Sequence, residues 1–232
     1  MELQTIDQVI DIIKNSAQPK RVAVAAAADM DTLEAVIKAQ KEGFVVPQLF
    51  GDAGTIETLL KQENCELSQY EIVHADDEKD AARKAVAFVR AGKSDLLMKG
   101  MMQTGDLMRA VIDKENGLLK EHGTISLFTL NQLTNYHKLI VMTDSGIVRE
   151  PSLEDKKGII KNAVGVLRAY GYEKPKVAAL CAVEVVNPKM PETVDAAALA
   201  EMSKTGELAD CVVEGPMSMD IALNAHVAKH KG

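Results

Sequence analysis

The sequence predicts an α/β fold built on parallel strands. Three observations predict it: short apolar, β-branched-rich runs recur along the chain, longer segments of helical period separate them, and capping residues mark several junctions. Strands that alternate with helices need crossover connections, and right-handed crossovers place helices over both faces of a parallel sheet.

In order, "RVAVAAA" (21–27), "VVPQLF" (45–50), "YEIVHA" (70–75) and "SDLLMKG" (94–100) read as strands. The segments 29–43, 54–64 and 78–92 read as helices, with apolar residues at i, i+3, i+4 and i+7 and charges on the opposite face. In the last of them Ala82, Ala85, Val86 and Val89 form the inward stripe. Asp29, Gly54 and Asp77 stand where N-caps belong, and Gly43 and Gly92 stand where glycine ends a helix. After a less regular patch at 115–137 the theme resumes with "KLIVMTD" (138–144), a helix over 152–171 and "PKVAALCAVEVV" (175–186). A helix over 191–206 opening on Pro191, the run "ADCVVEG" (209–215) and a helix over 218–230 complete it. Ser152, Glu154 and Asp155 load the start of the 152–171 helix with groups suited to its positive end. A boundary near Gly123 separates a first α/β domain (1–123) from a second (124–232); no Gly/Ser-rich linker marks it, so the two are expected to pack around a cleft.

Composition excludes several classes. The 232 residues carry 27 Lys and Arg against 34 Asp and Glu, a net charge of −7, and only 3% aromatics, which gives neither a basic face nor stacking platforms for nucleic acid. No apolar stretch approaches the roughly 20 residues that cross a bilayer. The N-terminal "MELQTIDQVIDIIKN" carries acids instead of a signal-peptide pattern, so no membrane partner and a cytoplasmic location are expected. Cys65, Cys181 and Cys211 are widely separated and read as free thiols. His226 and His230 share an i, i+4 spacing without an intervening acid; they read as solvated helix histidines, and no metal is expected.

In open parallel sheets ligands bind beyond the carboxyl ends of the strands. Those ends offer Lys99, Gly100 and Thr104; Asp144 in "TDSG"; Glu184 and Asn187 in "EVVNP"; and Glu214 in "EGP". Gly100 allows close backbone approach or a positive φ, Thr104 can cap the next helix, and Lys99 with Arg109 supplies two cations. Together they suit an oxyanion such as phosphate. The same residues equally allow a solvated Lys99 and an Arg109 paired with Asp106 or Asp113 along its own helix. The stretch matches neither the P-loop nor the dinucleotide fingerprint. Likewise, 184–191 reads as a cleft-lining strand end or as an irregular connection into a helix, and the methionines at 101, 102, 108, 217 and 219 as core filler or as an acyl-chain surface.

Four stretches together carry a resemblance: "LLMKGMMQTGDLMRAVID", "KLIVMTDSGIVREPSLEDKKGIIKNAV", "KVAALCAVEVVNPKMPETVDAAALAEM" and "VVEGPMSMDIAL". From about residue 20 onward the chain resembles the phosphate acetyl/butyryltransferase family, and in particular its phosphate butyryltransferase branch. The resemblance implies an isocitrate/isopropylmalate dehydrogenase-like architecture of two three-layer domains around a cleft, usually as a homodimer. It implies reversible conversion of acyl-CoA and phosphate to acyl phosphate and CoA, with butyryl or a similar short or branched chain. Coenzyme A and phosphate are then substrates, with no tightly bound cofactor and no metal. Thr104 and Arg109 fall on the family's phosphate-facing Thr and Arg, with Lys99 and Gly100 forming the turn before them; Asp144, Glu184, Asn187 and Glu214 fall on cleft-lining positions. The family's Ser-Arg pair and nearby Asp match nothing up to residue 232, so the catalytic residues remain unknown, and an incomplete second domain and a poorly active or inactive chain are expected. Alternative readings are a non-catalytic relative that binds CoA or acyl phosphate and an NAD-dependent dehydrogenase on the related fold.

Overall fold

An alanine-rich strand lies at the centre of the first unit. The computed structural model describes residues 3–15, 18–121 and 123–231, and the chain divides into a unit Val9–Glu121 and a unit formed by Met1–Gln8 with His122–Gly232. Helix α1 (Ile6–Lys14) leads to β1 (Lys20–Ala25), α2 (Met30–Lys41), β2 (Val45–Gly51), α3 (Ala53–Gln62), β3 (Glu71–His74), α4 (Glu78–Arg90), β4 (Leu96–Lys99) and α5 (Thr104–Val111). The four strands are all parallel, in the order β3-β2-β1-β4. The chain steps outward from β1 to β3, and α4 then returns it to the other side of β1. The winding direction therefore reverses between β1 and β4.

Alternation along β1 builds two cores. Val22 and Val24 pack with Leu33, Val36 and Ile37 of α2 and with Ile56 and Leu60 of α3. Ala23 and Ala25 face Ala81, Ala82 and Ala85 of α4 and Leu107 of α5. Small side chains on both surfaces let α4 lie close to the sheet, and Phe50 meets Phe88 edge-on beside them at 4.9 Å between ring centres. Burial on both faces explains why β1 reads as an almost unbroken apolar run.

Several polar groups in and around this sheet are satisfied locally. The buried Gln48 donates to Glu71 Oε2 (2.6 Å) and accepts from the Ser94 hydroxyl. At the amino edge the Arg21 guanidinium and backbone N–H all bind Asp95 (2.9–3.1 Å), which holds the Asp95 carboxyl down at about 2. Asp29 and Asp77 cap α2 and α4, accepting from Thr32 N (2.9 Å) and Asp80 N (2.7 Å). For α3 the cap is Asp52, accepting from Thr55 N at 2.8 Å, and not Gly54, because only the carboxylate can receive an N–H. Gly43 and Gly92 follow α2 and α4 with φ of +79° and +68°.

In the second unit residues 3–6 are tied down by Leu3 N to the Tyr172 hydroxyl (2.8 Å), Leu139 N to Leu3 O (3.0 Å) and Ile6 N to Gln132 Oε1 (2.8 Å). Its elements are β5 (Thr129–Asn131), β6 (Ile140–Met142), α6 (Leu153–Ala169), β7 (Lys176–Leu180), α7 (Pro191–Thr205), β8 (Val212–Met217), α8 (Met219–Leu223) and α9 (Ala225–Lys231). A capping box between Ser152 and Asp155 starts α6. The core is Ile160, Val164, Leu199, Leu208, Cys211 and Val213, and the Ser203 hydroxyl ties α7 to the β8 segment through Cys211 O and Val213 N, both at 3.1 Å.

Here the structure departs from the expected three-layer domain with a continuous parallel sheet. Strands β5 and β6 form an antiparallel pair, and β7 and β8 a separate parallel pair. Residues 132–139 are too few for the crossover that a parallel β5–β6 pair would require. Strand β7 ends at Leu180, short of the expected 186, and the expected 218–230 helix is interrupted at Asn224.

Beyond the sheet, Gly100 N donates to Ala25 O (2.8 Å) and Met101 N to Ala26 O (3.1 Å). A Cβ built on Gly100 would lie 2.1 Å from Ala26 O and 2.8 Å from Ala25 O, whereas one on Gly105 meets nothing within 4 Å. Gly100→Ala is therefore expected to destabilise the protein by about 2–3 kcal/mol. Gly105→Ala is expected to shift stability by less than about 1 kcal/mol. Urea denaturation separates the two; equal midpoints would contradict the close approach.

Candidate functional site

The reversal between β1 and β4 marks where a ligand crevice opens in such a sheet, outside the carboxyl ends of those strands. Strand β1 leaves through Ala26, held at φ +57°, and reaches Asp29, whose Oδ1 caps α2. The other Asp29 carboxylate oxygen, Oδ2, is buried without a hydrogen-bond partner among the described residues. Sequence reasoning treated Asp29 only as a cap, and nothing in its spacing distinguished it from Asp77.

Strand β4 leaves through Lys99 and Gly100. The Lys99 ammonium donates to Gly100 O (3.2 Å) and Met102 O (2.9 Å), so it closes the β4–α5 turn. Among the described residues these are its acceptors, and an ammonium has a third N–H to offer. Gly100 serves the approach to β1 described above, without the positive φ that the sequence also allowed. Thr104 does not cap α5: Gln103 occupies the N-cap position without a side-chain hydrogen bond, and Thr104 is the first helical residue. That helix start therefore keeps unsatisfied N–H groups and its positive dipole end.

Arg109 is paired with Asp106 along α5, one of the two partners its spacing allowed. Its side chain is 74% exposed, and an exposed ion pair of this kind is worth only about 0–1 kcal/mol. Little free energy opposes its release to a ligand.

In the other unit, Asp144 organises its own loop, accepting from Gly146 N (3.0 Å) and Ile147 N (3.0 Å) at Oδ1 and from Val148 N (2.9 Å) at Oδ2. Partial burial pushes its carboxyl up, but the N–H groups of Gly146, Ile147, Val148 and Leu127 together hold it below the ordinary range. Glu184 lies on the connection after β7 and accepts from the Ser218 hydroxyl (2.7 Å), which also contacts Asp220. Ser218 thus joins the 184 connection to the exit of β8. Asn187 is held by Thr193, whose fully buried hydroxyl accepts from Asn187 N (2.8 Å) and lies 3.1 Å from Asn187 O. Glu214 is not at a strand end: it lies within β8, exposed and in register with Ala178. Ser218 and Thr193 were missed because their partners are 34 and 6 residues away, with no local pattern to announce them.

Among the described residues no cluster of three or more His, Cys, Asp or Glu is placed to hold a metal. No helix among them is long and apolar enough to cross a membrane.

The family described as "Phosphate acetyl/butaryl transferase" matches residues 77–232. The chain belongs to this family. It is 41% identical to the phosphate butyryltransferase of Clostridium acetobutylicum over 230 residues, covering 99% of this chain and 76% of that protein. It is 37% identical to the phosphate acetyltransferase of Thermotoga maritima over 213 residues, covering 92% and 72%. A crystal structure of a branched-chain phosphotransacylase from Enterococcus faecalis V583 is similar at TM-score 0.72 and 27% identity, covering 91% of this chain and 73% of that one. A phosphotransacetylase from Streptococcus pyogenes shares the fold at TM-score 0.80 and 19% identity, over 98% and 78% of the two chains.

The N–H groups around Asp144 stabilise its ionised form, so their contribution is present above the ordinary carboxylate pKa and is lost as pH falls through the lowered value. Amide shifts of Gly146, Ile147 and Val148 in an NMR acid titration are expected to move together, with a midpoint below the usual aspartate value of about 3.9. A midpoint above it would show that burial outweighs these bonds.

Proposed function

We propose that the chain transfers a butyryl or similarly short or branched acyl group reversibly between coenzyme A and inorganic phosphate. Phosphate acyltransferase activity rests on the family relationship, and the 41% identity to a phosphate butyryltransferase over 99% of the chain carries the choice of acyl group. In the forward direction a phosphate oxygen attacks the thioester carbonyl carbon. The C–S bond breaks as the C–O bond to phosphorus's oxygen forms, and CoA sulfur leaves as a thiolate that takes up a proton.

Such chemistry needs phosphate held in attack geometry and desolvated enough for its charge to be steered. In this reading the start of α5 supplies N–H groups, Lys99 supplies a point charge at the turn, and Arg109 leaves Asp106 to grip phosphate oxygens as a planar fork. Gly100 and Thr104 shape that turn, while Asp144, Glu184, Asn187 and Glu214 are substrate-binding candidates of their own unit. A dehydrogenase is not favoured, since no G-x-G-x-x-G follows β1. The dehydrogenase-like two-domain architecture, a homodimer and a cytoplasmic setting belong to the same proposal, the last supported by three unpaired thiols.

A thiol-release assay tests the reading and decides between it and the expectation of a poorly active or inactive chain. CoA release from butyryl-CoA is expected to require phosphate and to be more efficient than release from acetyl-CoA; no phosphate-dependent release would overturn the assignment. Arg109→Ala is expected to raise KM for phosphate by about tenfold or more, with KM for acyl-CoA changed less than about threefold. Equal effects on both would reject the role given to Arg109.

A further inference from the structure

One motif takes no part in the chemistry above. Helix α9 carries His226 and His230 four residues apart, on one face. Asn224 fixes the first turn: its Oδ1 accepts from His226 N (2.9 Å) and Val227 N (3.3 Å), and its carbonyl from Ala228 N (3.0 Å). Both imidazoles are exposed, and they meet edge-on with ring centres 4.5 Å apart and planes at 80°. Among the described residues no protein group is hydrogen-bonded to either ring.

We propose that His226 and His230 form a chelating site for a late first-row divalent metal of the Cu²⁺ or Ni²⁺ class. Imidazole nitrogen is a good ligand for these ions, and i, i+4 is the spacing by which one helix face presents two histidines to a metal. Ring centres 4.5 Å apart place the two imidazoles close enough for side-chain rotation alone to bring one nitrogen of each to a shared ion at about 2.0–2.1 Å. Affinity of nitrogen sites rises along the first-row divalent series to Cu²⁺, which favours the late members. Water fills the remaining positions. Lys229 lies between the two histidines and no carboxylate does, so affinity comes from the two nitrogens acting together. Binding bridges one turn of a helix that is short by the standards of independent helix stability, and so orders it.

Isothermal titration of Ni²⁺ into the full chain is expected to show one ion bound per chain. His226→Gln and His230→Gln are each expected to weaken binding at least about tenfold, because each removes one arm of the chelate. His74→Gln, far from this helix in the sequence, is expected to leave affinity unchanged. With Cu²⁺, electron paramagnetic resonance is expected to show two coordinated nitrogens in the wild type and one in either variant, and the amides of α9 are expected to gain exchange protection on metal addition. Wild-type affinity in either single variant, an equal loss in His74→Gln, or a one-nitrogen spectrum for the wild type would overturn the site.

Discussion

The approach of Gly100 to the carbonyl oxygens of Ala25 and Ala26 is the constraint on which the Val9–Glu121 unit depends. It continues the parallel β1–β4 pairing one step past the sheet, so the turn that carries Lys99 and leads to Thr104 is held against the exit of β1. Any side chain at position 100 would drive the two exits apart. Ala26 shares the strain of this arrangement: its φ of +57° costs of order 1 kcal/mol or more for a residue with a Cβ. The hydrogen bond from Ala27 N to Phe50 O at 2.9 Å holds the same exit to β2. A backbone junction between two strands thus fixes where the cations and the start of α5 stand.

The two edges of this sheet carry different burdens. At the amino edge Arg21 and Asp95 satisfy each other, hold β1 and β4 in register and leave no charge to offer. At the carboxyl edge α2, α3 and α4 each begin on an aspartate cap, whereas α5 begins without a side-chain cap. On the proposed reading, an aspartate there would set a fixed negative charge against the incoming phosphate. With Gln103 there, the first N–H groups of α5 have no side-chain cap and stay open to an oxyanion.

Much of the fold was legible because its signals are local. Burial on both faces writes apolar runs into β1 and β2, and caps at Asp29, Asp77 and Ser152 and glycines at 43 and 92 are read from one or two neighbours. What the sequence concealed is non-local. Nothing in "KLIVMTD" says that its partner is the three-residue β5 running the other way, and nothing in "PKVAALCAVEVV" says that the strand opening at Lys176 stops at Leu180, which decides for the irregular connection of the two readings that 184–191 allowed. That connection is held by Thr193 and Ser218, whose hydroxyls reveal their partners only in three dimensions. The candidate phosphate site was legible as residue types, but its spacing matched no anion loop; the reaction came from the likeness of whole stretches to a family.

Arg109 illustrates why both readings of that stretch hold at once. Along α5 its i, i+3 partner Asp106 lies in the first turn, where a carboxylate is also favoured by the helix's positive end. On the proposed reading, an arriving phosphate competes with this carboxylate for the same two attractors, the guanidinium and the helix start. Phosphate has more charge and more acceptor oxygens, and Arg109 is largely in water, so the exchange gives up little. Asp106 is then a resident counter-ion, keeping two positive groups neutralised when no substrate is bound. Its side chain is only 16% exposed, so it stays near the phosphate it has yielded to and opposes retention of a multiply charged ligand. An acyltransferase that works reversibly gains from such opposition, because the acyl phosphate and the phosphate must both leave the pocket that binds them.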